Sequence, residues 1–382
     1  MSMAEQPRAT QAGVLSKLLS FALKEPVLSI LAIALIVLQC VRPQPWLALP
    51  RLVDWPTVMT LAGLLMLTKA IELSGLLMWL AHRVVHHVRS ERTLACLLIA
   101  LAAILSMIVT NDVALFVVVP LVLSLHALTP LPVKRLTIFL ALAVNAGSVL
   151  TPLGNPQNLF LWQVGGVSFG RFVWALAPLC ATLMAMLYAL AFFAFKDQQL
   201  DLSRDANKEP VDRAYASVAA ILFVAFVLLA DSHRPGIGLI GIACGFLFWR
   251  REAVLKIDWA LLLIFVLMFI VLRSVAALPW IHQSVAHLGL DTPLRAYVAG
   301  AVLSQGISNV PAAIMLAEFT KDWRALAFGV SVGGFGIAIG SLANLIAVRL
   351  AKERGIWLPF HAVSLPFWLV GGVLGGWLLL HL

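Results

Sequence analysis

Two polar interruptions of the same kind divide long apolar stretches of this chain, and they constrain its fold more than any other feature. Thr110-Asn111 interrupts one stretch and Ser308-Asn309 interrupts another, and each pair is followed by a second polar, glycine-containing interruption at 151–158 and 340–344. The interior of a bilayer offers no water to backbone N–H and C=O groups, so such interruptions must line a cavity or pack against protein. Paired breaks at matching positions of two halves are typical of transporter binding sites.

Composition places the chain in a membrane. Hydrophobic residues make up 62% of it, charged residues only 12%, and the mean hydropathy is +0.97. Soluble domains do not have this composition, so the fold class is predicted as an all-α polytopic membrane protein. The net charge of +9 is interpreted as a consequence of basic loops on one side of the membrane, not as a sign of nucleic-acid binding.

Hydropathy predicts continuous spans, interrupted spans and two hairpins. The continuous spans are predicted at 26–41, 55–81, 172–195, 213–231, 235–250, 258–279 and 360–381. Two further spans, 134–164 and 325–350, are broken helices with Gly/Asn interruptions. Residues 93–126 and 292–320 are too long for one span and carry a polar tip halfway, so each is predicted to be a re-entrant helical hairpin. This gives about nine full spans plus two hairpins.

The two halves match beyond the hairpin tips, since Gly147, Gly154 and Asn158 correspond to Gly333, Gly340 and Asn344. The predicted organisation is a cytoplasmic or interfacial N-terminus at 1–25, a first inverted repeat at 26–195, a cytoplasmic linker at 196–212, a connecting span at 213–231 and a second inverted repeat at 235–382. The connecting span turns the second half upside down. Most of the 27 lysines and arginines then fall on one side, which predicts a cytoplasmic N-terminus and a C-terminus outside.

The residue types at the interruptions suit the binding of small ions. Asn, Ser and Thr both donate and accept hydrogen bonds, and their neutrality avoids the cost of a buried charge. Helix N-termini attract anions, and unwound carbonyls coordinate cations such as Na⁺. The substrate-binding candidates are Thr110, Asn111, Asn155, Asn158, Ser308, Asn309, Ser341 and Asn344. The ion-coupling candidates are Asp112, Asn111, Thr151, Gly154, Asn309 and Gly340. The alternative is that these residues only cap helices or bond neighbouring helices.

Asp112 breaks the symmetry, because Val310 occupies the equivalent position. An ionisable residue near the middle of the bilayer predicts a role in coupling to H⁺ or Na⁺. The alternative is an N-cap for a helix that starts at Val113. Lys69 and Arg273 are interpreted as side chains that reach the interface, with Glu72 as a partner for Lys69; attraction of an anion is the alternative.

The strings at 110–116, 145–158 and 308–313 resemble the ion transporter superfamily, and the likeness spans roughly residues 50–380. The chain is similar in particular to ArsB/NhaD-type permeases of the YbiR-like group of bacterial inner-membrane anion transporters, which are related to the divalent anion:sodium symporters. The resemblance implies a scaffold domain and a mobile transport domain that carries both hairpins, an elevator-type movement, and a homodimer in the inner membrane. In the related dicarboxylate carriers, Ser-Asn-Thr tips bind carboxylate and Na⁺; here the tips read Thr110-Asn111-Asp112 and Ser308-Asn309-Val310.

These features predict a secondary active transporter of a small anion, coupled to Na⁺ or H⁺ and without a cofactor beyond Na⁺. The first alternative is a Na⁺/H⁺ antiporter of NhaD type. A channel is disfavoured because two occluding hairpins suit alternating access. An intramembrane enzyme is disfavoured because the sequence offers no nucleophile–base pair, zinc motif or cofactor fingerprint. The sequence leaves the substrate and the coupling ion open.

Overall fold

A computed structural model of the chain describes residues 25–85, 88, 90–200 and 210–382, and no β-strand occurs among them. Within these ranges, seven helices are long and apolar enough to cross a membrane. The chain is therefore an all-helical, polytopic membrane protein, as the composition predicts. Residues 1–24 of the predicted N-terminal segment and 201–209 of the predicted linker lie outside the described residues.

The first half contains eight α-helices and one 3₁₀ helix within the described residues. They are α1 Pro26–Val41, the 3₁₀ helix Trp46–Leu52, α2 Trp55–Leu73, α3 Leu76–Val85, α4 Glu91–Ile108, α5 Asn111–Leu128, α6 Val133–Ser148, α7 Pro156–Gly165 and α8 Phe169–Ala194.

The second half contains ten α-helices and one 3₁₀ helix within the described residues. It contains α9 Arg213–Asp231, α10 Pro235–Trp249, α11 Glu252–Leu255, α12 Trp259–Ala276, α13 Pro279–Ala286, α14 Pro293–Ile307, α15 Asn309–Leu316, α16 Trp323–Gly333, the 3₁₀ helix Ala338–Gly340, α17 Leu342–Ala351 and α18 Trp357–His381.

Two predicted spans are shorter than hydropathy indicates. The predicted span 55–81 divides into α2 and α3, because Gly75 takes a positive φ of 76° that turns the chain. The predicted span 258–279 ends as a helix at Ala276, and α13 begins at Pro279, whose ring lacks the N–H needed to continue a preceding helix. Both starts are capped alike: Asp54 accepts from the N–H of Thr57 at 3.0 Å, and Asp258 accepts from the N–H of Leu261 at 2.8 Å.

Both predicted hairpins contain two helices joined by a very short tip. The first tip consists of Val109 and Thr110, between α4 and α5, and the second tip is Ser308, between α14 and α15. Each arm of the first hairpin has 18 residues, a length that suffices for a span, whereas α14 has 15 residues and α15 has 8. At 1.5 Å per residue, α15 is only about 12 Å long, far less than the thickness of a bilayer core.

The two broken helices occupy the centre of the protein. The first break, residues 149–155, separates α6 from α7, and the second break, residues 334–341, separates α16 from α17. Every residue from 136 to 149 and from 325 to 336 is buried. Helix α6 packs on α4, and α16 packs on α14; α2 packs on α10, and α12 packs on α1. Glycine permits the two close approaches, because a Cβ atom at Gly147 would meet the backbone of Ala103 and one at Gly329 would meet the backbone of Tyr297.

Candidate functional site

The first tip is fastened to the first break. The backbone N–H of Asn111 donates to the carbonyl oxygen of Gly154 at 3.1 Å, and the Thr151 hydroxyl donates to the carbonyl oxygen of Met107 at 2.5 Å. Thr110 is the N-cap residue of α5, but its side chain makes no capping bond. The predicted ion-coupling residues Thr151 and Gly154 therefore hold the first tip in place through a hydroxyl and a backbone carbonyl.

Four buried amides and one hydroxyl meet where the two halves touch, and Asn145 lies at their centre. Its Nδ2 donates to Oδ1 of Asn344 at 2.8 Å, and its Oδ1 accepts from the Ser341 hydroxyl at 2.9 Å and, over a long 3.5 Å, from Nδ2 of Asn111. Asn309 comes to the same place: a Cβ atom at Gly334 would lie 3.1 Å from its Nδ2 and 3.5 Å from Oδ1 of Asn145. We call these five residues the central cluster: Asn111, Asn145, Asn309, Ser341 and Asn344.

The second tip is strained. Ser308 has φ 75° and ψ 156°, a backbone conformation that glycine adopts readily and other residues rarely. Ser308 is half-buried, and among the described residues its hydroxyl makes no hydrogen bond. The next residue, Asn309, is the first residue of α15 and is only 3% exposed. The strain therefore directs a buried amide towards the centre.

The second break is held by a side chain that has no polar counterpart in the first half. Nε2 of Gln305 donates to the carbonyl oxygens of Gly333 at 2.8 Å and Phe335 at 3.0 Å, and its Oε1 accepts from the N–H of Ile337 at 2.8 Å. Nδ2 of Asn344 donates to the carbonyl oxygen of Gly334 at 2.9 Å. Only glycine fits at position 340 without a steric clash, because a Cβ atom there would lie 2.6 Å from the carbonyl oxygen of Gly333.

The side chains of Asn155 and Asn158 form hydrogen bonds within the first break and to the end of α6. Asn155 caps α7 by accepting from the N–H of Asn158 at 3.0 Å, and it donates to the Ser148 hydroxyl at 2.9 Å. Nδ2 of Asn158 reaches the carbonyl oxygens of Ser148 at 3.1 Å and Val149 at 3.2 Å. The structure therefore places both residues as braces of the break, while Oδ1 of Asn158 is buried without a hydrogen-bond partner among the described residues.

Asp112 is not the N-cap of α5. That helix begins at Asn111 with Thr110 as its N-cap, so Asp112 lies one residue inside the first turn. The capping interpretation is wrong because the helix starts two residues earlier than the sequence suggests. The carboxylate is half-buried, and it makes no hydrogen bond or ion pair with another described residue. It lies beside the positive end of the α5 dipole, where a negative charge is stabilised.

The two matched cations are both paired. Nζ of Lys69 lies 2.7 Å from Oε2 of Glu72, as predicted. Nε of Arg273 lies 2.8 Å from Oε1 of Glu318, and its Nη1 donates to the carbonyl oxygen of Leu52 at 2.6 Å. Arg273 thus fastens the end of the second hairpin to the turn before α2.

Two buried polar atoms, one in the central cluster and one in α16, have unused hydrogen-bonding capacity within the described part of the chain. Oδ1 of Asn111 and the hydroxyl oxygen of Ser331 have no hydrogen-bond partner among the described residues. Buried polar atoms normally find a hydrogen-bond partner, so these two atoms are available to a bound solute or ion. Ser331 occupies the position in α16 that Asn145 occupies in α6, because Gly333 matches Gly147.

The structure brings the predicted residues Asn111, Asn309, Ser341 and Asn344 together. Sequence reasoning missed Asn145. The signal was present: Asn145 is an amide in the apolar run from Leu136 to Ala146, one turn before the break. It also missed Gln305, which lies next to the second tip and looks like an ordinary polar tip residue in the sequence.

Comparisons with known proteins agree with the architecture. A family model described as citrate transporter (CitMHS) matches residues 17–322. The inner membrane protein YbiR of Escherichia coli is 39% identical over 333 residues, which cover 87% of this chain and 89% of that protein. An uncharacterised transporter of Methanocaldococcus jannaschii is 30% identical over 327 residues, covering 84% and 87%.

A more distant relative matches a smaller part of the chain. The silicon efflux transporter of Oryza sativa subsp. japonica is 30% identical over 126 residues, covering 33% of this chain and 26% of that protein. The matched family is one of transporters and not of enzymes, and two of these relatives are named transporters. The chain therefore belongs to the citrate transporter (CitMHS) family of the ion transporter superfamily and is a multi-pass membrane transporter.

Proposed function

We propose that this protein is a secondary active transporter that moves a small anion across the bacterial inner membrane and is coupled to Na⁺ or H⁺. The observation that carries the proposal is the convergence of both hairpin tips and both breaks on the central cluster. Helices α5, α7, α15 and α17 begin at these tips and breaks. Helix N-termini present free N–H donors and a positive dipole end, so they can hold an anion without a lysine or arginine.

The same place offers ligands for a cation. Helices α4, α6, α14 and α16 end at the tips and breaks, and Oδ1 of Asn111 at the first tip is buried without a hydrogen-bond partner among the described residues. Carbonyl and amide oxygens at the ends of broken helices are the groups that coordinate Na⁺ in transporters. In this proposal, Na⁺ or H⁺ binds together with the anion, and Thr110, Asn111, Ser308 and Asn309 contact both.

An inverted repeat with an elevator movement fits the contacts between helices. The order α2 to α8 is repeated in α12 to α18, and the α4–α6 contact is repeated as α14–α16. In this arrangement α1, α2, α9, α10 and α12 form the scaffold, and the hairpins with the broken helices form the moving unit. The first hairpin stays inside the membrane, because Asn111 at its tip bonds Gly154 in the middle of a broken span.

Orientation and assembly are part of the proposal. The bias of basic residues supports a cytoplasmic N-terminus, with the first hairpin entering from the cytoplasm and the second from outside. The resemblance to the wider superfamily supports a homodimer.

Uptake into proteoliposomes tests the proposed function. Purified protein is reconstituted, and entry of labelled citrate, succinate, phosphate, sulfate and silicic acid is measured with an inward Na⁺ gradient, with an inward H⁺ gradient, and with neither. Silicic acid is included because one relative is named a silicon efflux transporter. We expect gradient-dependent accumulation of one anion. Gradient-independent equilibration of every solute would contradict coupled transport.

Na⁺/H⁺ exchange is the second candidate, and Asp112 favours it. A half-buried carboxylate at the first tip that hydrogen-bonds to no described residue could alternate between Na⁺ and a proton. Proteoliposomes that contain a pH dye separate the two functions, because exchange moves protons when NaCl is added and needs no transported anion. Asp112→Asn keeps size and hydrogen bonding but carries no charge, so under either function we expect the dependence on Na⁺ or pH to be lost.

A further inference from the structure

The side chain of Asn145 is saturated with internal hydrogen bonds. It is 4% exposed. Its Nδ2 donates to the carbonyl oxygen of Ala141 at 3.1 Å and to Oδ1 of Asn344 at 2.8 Å, while its Oδ1 accepts from Ser341 and Asn111. A carboxamide offers two N–H donors and two acceptor lone pairs. All four have a partner, three at 2.8–3.1 Å and the fourth, Nδ2 of Asn111, at a long 3.5 Å, so a ligand could bind this amide only by displacing one of them.

Its partners come from both halves of the chain. Asn111 belongs to the first tip, whereas Ser341 and Asn344 belong to the second break and the start of α17. The bonds to Ser341 and Asn344 join residues 196 and 199 positions apart in the sequence. The first break, by comparison, is braced by Asn155 and Asn158 through bonds to its own half. Asn145 is therefore a direct polar link from the first half to the second break.

The equivalent position in the second half behaves differently. Ser331 is also buried, at 3% exposure, but its hydroxyl oxygen has no hydrogen-bond partner among the described residues. Oδ1 of Asn111 is unpartnered as well, although its Nδ2 contacts Asn145. Asn145 thus contacts Nδ2 of Asn111, while Oδ1 of Asn111 has no partner among the described residues.

We infer that Asn145 is a positioning residue: it locks the first tip and the second break in one register, so that the unpartnered Oδ1 of Asn111 and hydroxyl of Ser331 face the transported solute or ion. The part of this inference that concerns ligand binding rests on the proposed function. The mechanical part does not, because it concerns only how two distant segments are held.

Hydrogen–deuterium exchange tests the mechanical part without any ligand. In Asn145→Ala, backbone exchange should become about tenfold faster in two segments, 105–114 and 336–345. The reason is that each segment loses its hydrogen bonds to the side chain of Asn145. Asn145→Asp should act in the same way, since its second oxygen would face the oxygens of Ala141 and Asn344, where Nδ2 now donates. A residue that only fills space would tolerate this isosteric change. Ser331→Ala is the matched control and should leave both segments unchanged.

Three results would overturn the inference: faster exchange in only one of the two segments, in neither, or evenly over the whole protein. If Asn145→Ala is not stably folded, Asn145→Ser supplies the comparison, because it places the residue of the equivalent position at 145 and shortens the link without removing its polarity. Its exchange in the two segments should rise by a smaller factor, about threefold.

Transport kinetics test the ligand-binding part. With labelled citrate and increasing NaCl as probes in proteoliposomes, Asn145→Ala should raise the half-saturating concentrations about tenfold and change the maximal rate much less. A fall in maximal rate with unchanged half-saturation would refute positioning. If the wild type neither transports citrate nor responds to NaCl, the proposed function fails for these probes, and the exchange measurement still decides the role of Asn145.

Discussion

Replacing Ser308 by glycine tests the strain at the second tip. The φ of 75° with ψ of 156° lies in a region that is populated almost only by glycine, and a non-glycine residue there costs about 1–3 kcal/mol. Glycine relieves this cost, but it loses about 0.5–1 kcal/mol more conformational entropy on folding. Within the described part of the chain, the serine hydroxyl makes no hydrogen bond that would be lost. The net expectation is stabilisation of the Ser308→Gly variant by about 1 kcal/mol.

Thermal unfolding in detergent, followed by tryptophan fluorescence, measures this effect. One kcal/mol corresponds to a rise in Tm of about 2 °C for a chain of this size. Ser308→Ala retains the strained Cβ atom, so its Tm should stay within about 0.5 °C of the wild type. Thr110→Gly is the matched control at the first tip: Thr110 has φ −65° and ψ 153°, an ordinary extended conformation, so glycine should lower Tm there.

The expected effect of Ser308→Gly on uptake is a loss, whereas its expected effect on stability is a gain. If the strained serine hydroxyl contacts the transported solute, Ser308→Gly should lose uptake while gaining stability, and Ser308→Ala should lose uptake without gaining stability. Such a trade between stability and activity is common where strain serves function. A Ser308→Gly variant that is no more stable than Ser308→Ala would refute the assignment of strain.

Three further outcomes are expected. Gly147→Ala should lower the free energy of unfolding by about 1–3 kcal/mol, because the new Cβ would lie 2.5 Å from Cα of Ala103. Gly241→Ala, whose Cβ meets open space, should leave the free energy of unfolding unchanged, and thermal unfolding compares the two variants. Gln305→Leu should destabilise by about 2 kcal/mol or more and speed exchange in the second break, since it strands two carbonyls and one N–H; exchange mass spectrometry measures this. In a background without native cysteines, a cysteine at Ser232 should react with an impermeant maleimide from outside and one at Asp197 only from the cytoplasm; swapped labelling would reverse the proposed orientation.

Hydropathy and glycine placement predicted most of the architecture. The span 213–231 begins and ends where α9 does, and both hairpins and both broken helices are present within a few residues of their predicted bounds. The errors have local causes. Hydropathy does not register the turn at Gly75 or the restart at Pro279, because both lie within sequence that is mainly apolar. The predicted spans 55–81 and 258–279 therefore extend beyond the ends of α2 at Leu73 and α12 at Ala276.

Some of the predicted site residues lie together in the structure, and the role of the site stays a prediction. Comparison of the two halves identified the amides at the tips, because these polar residues stand within long apolar runs at matching positions. Asn145 was missed because its role arises from contacts with residues more than 190 positions away, which no local pattern encodes. The start of α5 was misjudged because Asn111 and Asp112 both favour helix ends, and only the geometry decides which of them lies inside the helix.

Paired substitution of the two tip amides tests the central claim most directly. Asn111→Ala and Asn309→Ala are reconstituted at matched protein density beside Gln163→Ala, which removes an amide that bonds Thr60 and no residue of either tip. Gradient-driven uptake of the anion identified with the wild type is then measured. If the two hairpin tips form one site, each tip variant loses uptake while remaining folded and inserted, and Gln163→Ala retains it. Normal uptake by both tip variants would contradict the account.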